Sequence, residues 1–220
     1  MKKRLFYCCL GILIIGFGSS ICKAGQVGVD PCTAMNGGIA LFVGSTLGIT
    51  LMTCQIILFI FIFFLNRSYI GPGTFINGLL LGYIVDAITF LINRFFDVPL
   101  YQSLTFQIPC MIIGITFITL GVSLYFTGDL GLSPYDAIGR VLSERTSFTY
   151  PQCRIFTDVV CTFIALLFHG PIGFGTIIIA FFTGPLIQFW NKKVSKPLFN
   201  GSFFNQKRPF HNMNLDRKLM

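Results

Sequence analysis

Four stretches of this 220-residue chain, 5–22, 68–85, 98–128 and 159–191, contain no Asp, Glu, Lys or Arg. A helix needs about 20 largely apolar residues to cross the hydrocarbon core of a bilayer. Runs of this length constrain the fold more than any other feature, and they make the chain an integral membrane protein of the all-α class. Composition agrees. Only 11% of the residues are charged and mean hydropathy is +0.76, whereas a soluble domain carries about twice that charged fraction.

Glycines then reveal an internal repeat. Gly11, Gly18, Gly25, Gly28, Pro31 and Ala34 recur as Gly114, Gly121, Gly128, Gly131, Pro134 and Ala137, all 103 positions later. After a change in loop length the offset becomes 102, and Ile70, Gly71, Gly73, Thr74 and Gly82 match Ile172, Gly173, Gly175, Thr176 and Gly184. Two units follow, about 5–93 and 107–190. They divide the chain into a first membrane repeat (1–98), a second (99–191) and a basic, flexible tail (192–220). The opening segment has the basic start and apolar run of a signal peptide, but its internal copy at 107–128 marks it as architecture, a first membrane helix that is kept.

Each unit reads as a long apolar helix, a Gly-rich link, a short helix opening at Pro, and two more apolar helices. In the second unit Asp136, Arg140 and Glu144 recur at i, i+4 and i+8 with Ala137, Ile138, Val141 and Leu142 on the other side. That pattern predicts an amphipathic helix lying at an interface or folded partway in, because three charges on one stripe make a full crossing costly. Residues 31–46 are expected to behave likewise. Six spans remain, near 5–23, 49–65, 69–92, 107–127, 151–168 and 172–190. An odd number of spans per unit makes the second unit enter from the opposite side, giving two inverted three-helix repeats. With both termini in the cytoplasm, every Lys and Arg except Lys23 and Arg94 falls on the inner side, as the positive-inside rule requires. The net charge of +8 is thereby assigned to topology and lipid headgroups rather than to nucleic acid.

Asp30-Pro31 and Ser133-Pro134 are helix starts: Asp or Ser accepts from an early unpaired N–H, and Pro suits the first turn. Thr74 and Thr176 can cap the helices opened by Gly71-Pro-Gly-Thr and Gly173-Phe-Gly-Thr. All of this is explained structurally. The same helix ends, positive by their dipoles, also suit an anionic or polar ligand, as half-helices do in inverted-repeat transporters. Candidate substrate-contacting residues are therefore Asp30, Thr33, Thr74, Asn77, Asp86, Asp136, Arg154, Asp158 and Thr176. Carboxylates inside spans are expensive and face a cavity or a partner. Asp158 lies about 10 Å into the fifth span at 1.5 Å per residue, and Arg154, four residues earlier, shares its face. A self-satisfied ion pair and a proton- or substrate-responsive pair both fit that spacing. The eight cysteines form no CxxC pair, so neither a zinc site nor a disulfide framework is indicated, and no cofactor is expected.

The phrases "AGQVGVDPCTAMN … YIGPGTFINGLLLGYIVD" and "LGLSPYDAIGRVLS … IGFGTIIIAFFTGPLI" resemble the YczE/YyaS/YitT-type family of bacterial membrane proteins, most closely the YczE branch. The resemblance covers about 5–190 and implies a bacterial cytoplasmic membrane location. It implies little chemistry. Where the family pattern often has Gly-Pro-Trp-Asp in the second copy, this chain has Ser133-Pro134-Tyr135-Asp136, keeping Pro and Asp but changing the aromatic residue.

The expected function is a small secondary transporter or permease of an unidentified small solute, in contact with membrane lipids. Two other readings stand beside it: a substrate-binding subunit that works with energising partner subunits or as a homo-oligomer, and an accessory or scaffold protein for a cytoplasmic partner. Catalysis is not expected, since HExxH and GxSxG are missing from the sequence and it holds two histidines.

Overall fold

Glycines seven residues apart on two helices set the centre of the molecule. The computed structural model describes residues 2–25, 27–95 and 104–200. Its helices are α1 (Lys2–Ala24), α2 (Pro31–Val43), α3 (Leu47–Leu65), α4 (Pro72–Phe95), α5 (Leu104–Gly128), α6 (Pro134–Arg145), α7 (Tyr150–Leu167) and α8 (Phe174–Trp190). A π-helical turn, Asn191–Ser195, carries α8 on into α9 (Lys196–Asn200). Among the described residues six helices are long and apolar enough to cross a membrane, namely α1, α3, α4, α5, α7 and α8 with its extension. The protein is thus an all-α, multi-pass membrane protein.

The repeated glycines of α1 and α5 face one another. A methyl group at Gly11 would stand 2.7 Å from Gly121 O, one at Gly18 2.7 Å from Gly114 O, and one at Gly128 3.0 Å from Arg4 O. Rising numbers on α1 meet falling numbers on α5, so the two helices run antiparallel. A seven-residue repeat of small residues keeps one seam in register along both helices. It lets the backbones approach closely, which is how helices gain packing energy in lipid. Ile12, Ile15, Val122 and Tyr125 flank the seam and form the main core with residues of α6 and α7.

The two short helices start inside the bundle. α2 runs beside the second half of α7: Cys32 packs with Cys161, and Gly38 lies against Phe168 and Gly170. α6 runs beside the first half: Tyr135 reaches Asp158, and Gly139 lies against Arg154 and Tyr150. Both N-termini therefore meet near the middle of α7, and the helices diverge from there. Of the two placements the charged stripe of α6 allows, the helix takes the one folded partway in. It descends from exposed Glu144 through half-buried Arg140 to buried Asp136, with Arg140 over the rings of Phe126 and Tyr150.

The links into α4 and α8 hold these starts in place. Gly73 N donates to Leu130 O at 2.7 Å, and Gly175 N to Val27 O at 2.9 Å, so each Gly-x-Gly-Thr link is tied to the loop of the other unit. The residues after those carbonyls, Gly131 and Gly28, have φ of +106° and +110°, a region L side chains avoid. Residues 69–71, expected within the third span, form a short turn and an extended link, so α4 begins at Pro72. The first residues of the tail are helical. Helix continues to Asn200, with Ser195 Oγ 2.7 Å from Ser123 Oγ and Tyr7 OH donating to Leu198 O at 3.2 Å. The rest of that tail lies outside the described residues. Outward faces of α3, with Ile57, Phe61 and Phe64 exposed, suit lipid chains.

If the seam sets the bundle, Gly121→Leu should destabilise it by roughly 3 kcal/mol or more. Gly48→Ala, where a methyl meets nothing within 4 Å, should leave the midpoint of thermal unfolding in detergent nearly unchanged.

Candidate functional site

α6 begins with a cap that places a carboxylate at its positive end. Ser133 Oγ accepts from Asp136 N at 3.2 Å and donates to Asp136 Oδ2 at 2.6 Å. α2 does the same with the roles exchanged: Asp30 Oδ1 accepts from Thr33 N at 3.0 Å, and Thr33 Oγ1 donates to Asp30 Oδ2 at 2.6 Å. Each helix end, worth about half a positive charge, is thus already answered by one of the chain's own carboxylates. That bears against an anionic ligand at these ends.

Helical spacing on α7 puts Arg154 and Asp158 on one face, one turn apart. Arg154 Nε donates to Asp158 Oδ2 at 3.3 Å, and Arg154 Nη1 to Asp136 Oδ1 at 2.6 Å. Asp158 is fully buried and Asp136 is 8% exposed. Tyr135 OH donates to Asp158 Oδ1, and its ring lies 4.6 Å from the Arg154 guanidinium carbon, a cation–π distance. Burial pushes the Tyr135 phenol well above its ordinary range, which keeps it a donor. Two buried tyrosines, Tyr125 and Tyr150, border this group. Tyr125 is an electrostatic neighbour of Asp136 and lies beside Asn77, while Tyr150 neighbours Arg154 and Asp136.

Four of the nine candidates, Asn77, Asp136, Arg154 and Asp158, therefore share one polar region running from α4 to α7. Asp30 is exposed at its edge, within electrostatic reach of Asp158. Thr33 is spent on the α2 cap. Thr74 and Thr176 serve the links: Gly71 N and Gly173 N donate to their hydroxyls at 3.2 Å, and Thr176 Oγ1 donates to Val29 O at 2.7 Å. Asp86 falls on α4, and its side chain lies outside the described residues. Sequence reasoning missed Tyr135 and Tyr125. Tyr135 had a usable signal, since it sits beside the candidate Asp136 on a helix read as lying at an interface or folded partway in. Among the described residues no group of three His, Cys, Asp or Glu could hold a metal ion.

A second polar cluster closes the far end of α6. Tyr69 OH donates to Glu144 Oε1, Asn66 Nδ2 to Glu144 Oε2 at 3.2 Å, and Arg145 Nη2 to Leu65 O at 3.2 Å. Burial, then the Glu144 contact, pushes the Tyr69 phenol above its ordinary range.

Fold and site together define a multi-pass helical membrane protein with a buried, charged centre between a half-length helix and a spanning one. The chain belongs to the YczE/YyaS-like family of bacterial membrane proteins, described as a family of unknown function (DUF6198), whose model matches residues 2–192. It is 27% identical over 180 residues to the uncharacterized membrane protein YczE of Bacillus subtilis, covering 81% of each chain. Similarity to Bacillus subtilis YyaS is 25% over 206 residues, 93% of this chain and 98% of that one. A Haemophilus influenzae protein is 23% identical over 190 residues, 86% of this chain and 83% of that one. No solved structure matches the chain.

Arg154 bridges two buried carboxylates, so Arg154→Gln should cost about 3–5 kcal/mol. Adding Asp158→Asn to that variant should recover part of the loss, because it removes one of the two stranded charges. A double-mutant cycle on thermal unfolding midpoints checks both.

Proposed function

We propose that this protein is a small secondary transporter of a polar, uncharged or cationic solute in the bacterial cytoplasmic membrane. One observation carries the reading: two half-length helices start at the middle of α7, and their N-termini converge on Asp136, Arg154 and Asp158. Broken helices ending at a buried polar centre are how many transporters build a binding site at the bilayer midplane. The antiparallel α1–α5 seam supports two inverted three-helix repeats, and the distribution of Lys and Arg supports cytoplasmic termini. Asn77, Asp136, Arg154 and Asp158 would line the path, with Asp30 at its edge. Since Asp30 and Asp136 already neutralise the helix ends, solutes bearing negative charge are disfavoured.

Purified protein in sealed vesicles should take up a member of a panel of uncharged and cationic solutes. Asp158→Asn and Arg154→Gln should each reduce the initial rate by about tenfold or more, the factor a 1.4 kcal/mol change produces. Protein that unfolds cooperatively yet moves no solute in the panel, with or without a proton gradient, would refute the proposal.

A second reading, a capture subunit working with partner subunits or as a homo-oligomer, is favoured by Gly78 and Gly82. They form a small-xxx-small pair on α4, and a methyl at either meets nothing within 4 Å, an arrangement suited to helix association in lipid. Gly78→Ile with Gly82→Ile should abolish a cross-linked oligomer in native membranes without lowering the unfolding midpoint of the single chain. Unaltered cross-linking removes this reading.

A further inference from the structure

Charge does not balance where α2, α6 and α7 meet. Asp30 is exposed and answers the α2 end at the edge, so the buried balance sets the α6 end, worth about half a positive charge, and the Arg154 guanidinium against the carboxylates of Asp136 and Asp158. About half a negative charge is left over, and one guanidinium serves two carboxylates. Arg154 and Asp136 side chains are only 11% and 12% exposed, and that of Asp158 1%. An uncompensated charge at such depth costs several kcal/mol in order of magnitude, and a carboxylate so placed takes up a proton instead. We infer that Asp158 is a proton-binding site and that this proton is the ion driving the protein. The proton's role in coupling rests on the transport reading; its binding rests on the side chains alone.

Geometry chooses between the two buried carboxylates. Asp136 takes Arg154 Nη1 at 2.6 Å and Ser133 Oγ at 2.6 Å and sits in the first turn of α6. Asp158 sits in mid-helix, where no helix end of its own element helps it, and its guanidinium contact is longer at 3.3 Å. The groups facing it are Tyr135 and Asp136 from α6, Asp30 and Cys32 from α2, and Tyr150, Arg154 and Cys161 from α7 itself. α8, packed on the other flank of α7, carries no titratable residue.

The step balances simply. A proton from bulk water adds to Asp158 Oδ2, the oxygen facing Arg154 Nε, and gives a neutral carboxyl group. Tyr135 still donates to Oδ1, and Arg154 is left to Asp136 alone. Release of the proton to water restores the three-way pair. The buried hydroxyls of Tyr125 and Tyr150 lie beside Asp136 and Arg154, and a hydroxyl both donates and accepts. They supply buried positions along which a proton can approach.

Infrared difference spectroscopy of the full-length protein in lipid, stepped through pH, tests this without any solute or gradient. We expect a carboxylic acid C=O band that disappears as pH rises and shifts down in D2O. Asp158→Asn should remove the band. Asp136→Asn should remove it too, because Arg154 and Asp158 then pair one to one. Tyr135→Phe should move it to higher frequency through loss of the hydrogen bond to the carboxyl, and this shift decides the matter even where Asp158→Asn does not fold. A band unchanged in Tyr135→Phe, or none in the wild type at any pH at which it is folded, overturns the proton site. A band with that shift but no solute movement in vesicles keeps the proton site and removes transport; solute movement without the band does the reverse.

Discussion

A helix that begins inside a bundle rather than at its surface leaves early N–H groups to be paired without water, and α2 and α6 both begin that way. Much of the rest follows from satisfying those ends. Asp30 with Thr33, and Ser133 with Asp136, cap them. Gly28 and Gly131 turn the chain sharply enough to enter, and the carbonyls just before them are taken by Gly175 N and Gly73 N. The α6 cap brings Asp136 to depth, and Asp136 with Asp158 calls for Arg154. The charged centre is thus tied to where α6 starts, whatever further use the protein makes of it.

Local chemistry was legible in the sequence wherever one residue type answers one need. Pro31, Pro134 and the caps before them read as helix starts, and the two Gly-x-Gly-Thr phrases read as tight links into long helices. The spacing of Arg154 and Asp158 read as one face. What the sequence could not tell was which way a face points. A stripe of Asp136, Arg140 and Glu144 looks alike whether it meets water or α7, and only the fold turns it inward. The glycines at 11, 18, 25, 114, 121 and 128 marked a repeat plainly. Their seven-residue spacing also specified a seam, but a seam needs a partner, and α5 is identified as the partner of α1 only in three dimensions. The helical start of the tail was hidden for a related reason: Ser195 and Asn191 gain their hydrogen bonds from Ser123 and Thr127, far away in the chain.

The two units share a framework but not a chemistry. Thr33 stands where Asp136 stands in the second copy. In α3, counted at the offset that matches Phe59 to Asp158, Gln55 corresponds to Arg154. On α4, Asn77 answers Ile179 of α8. A duplicated frame can keep its backbone bonds in both halves, because they come from glycine, threonine and main-chain groups. A second buried charged triad would carry its own desolvation cost, whereas Phe59 and Gln55 do not. The outcome is one charged centre in a doubled scaffold, which a symmetric pair of sites would not give.

α6 links that centre to the opposite end of the bundle. Its first turn is bound to α7 through Arg154. Its last turn is bound to the α3–α4 link through Glu144 and Arg145, and Arg140 between them stacks on Phe126 and Tyr150, 4.5 and 5.6 Å from their ring centres. The contact at the first turn is the ionic one, so its strength depends on how many carboxylates share Arg154. With two, the guanidinium is divided between α6 and its own helix; with one, it is committed to α6. Changing a single charge on α7 therefore alters how firmly a neighbouring helix is held, and that helix reaches the α3–α4 link. Packing alone could not provide this coupling, because the Gly seam and the apolar core have no term that a proton or a polar solute can change.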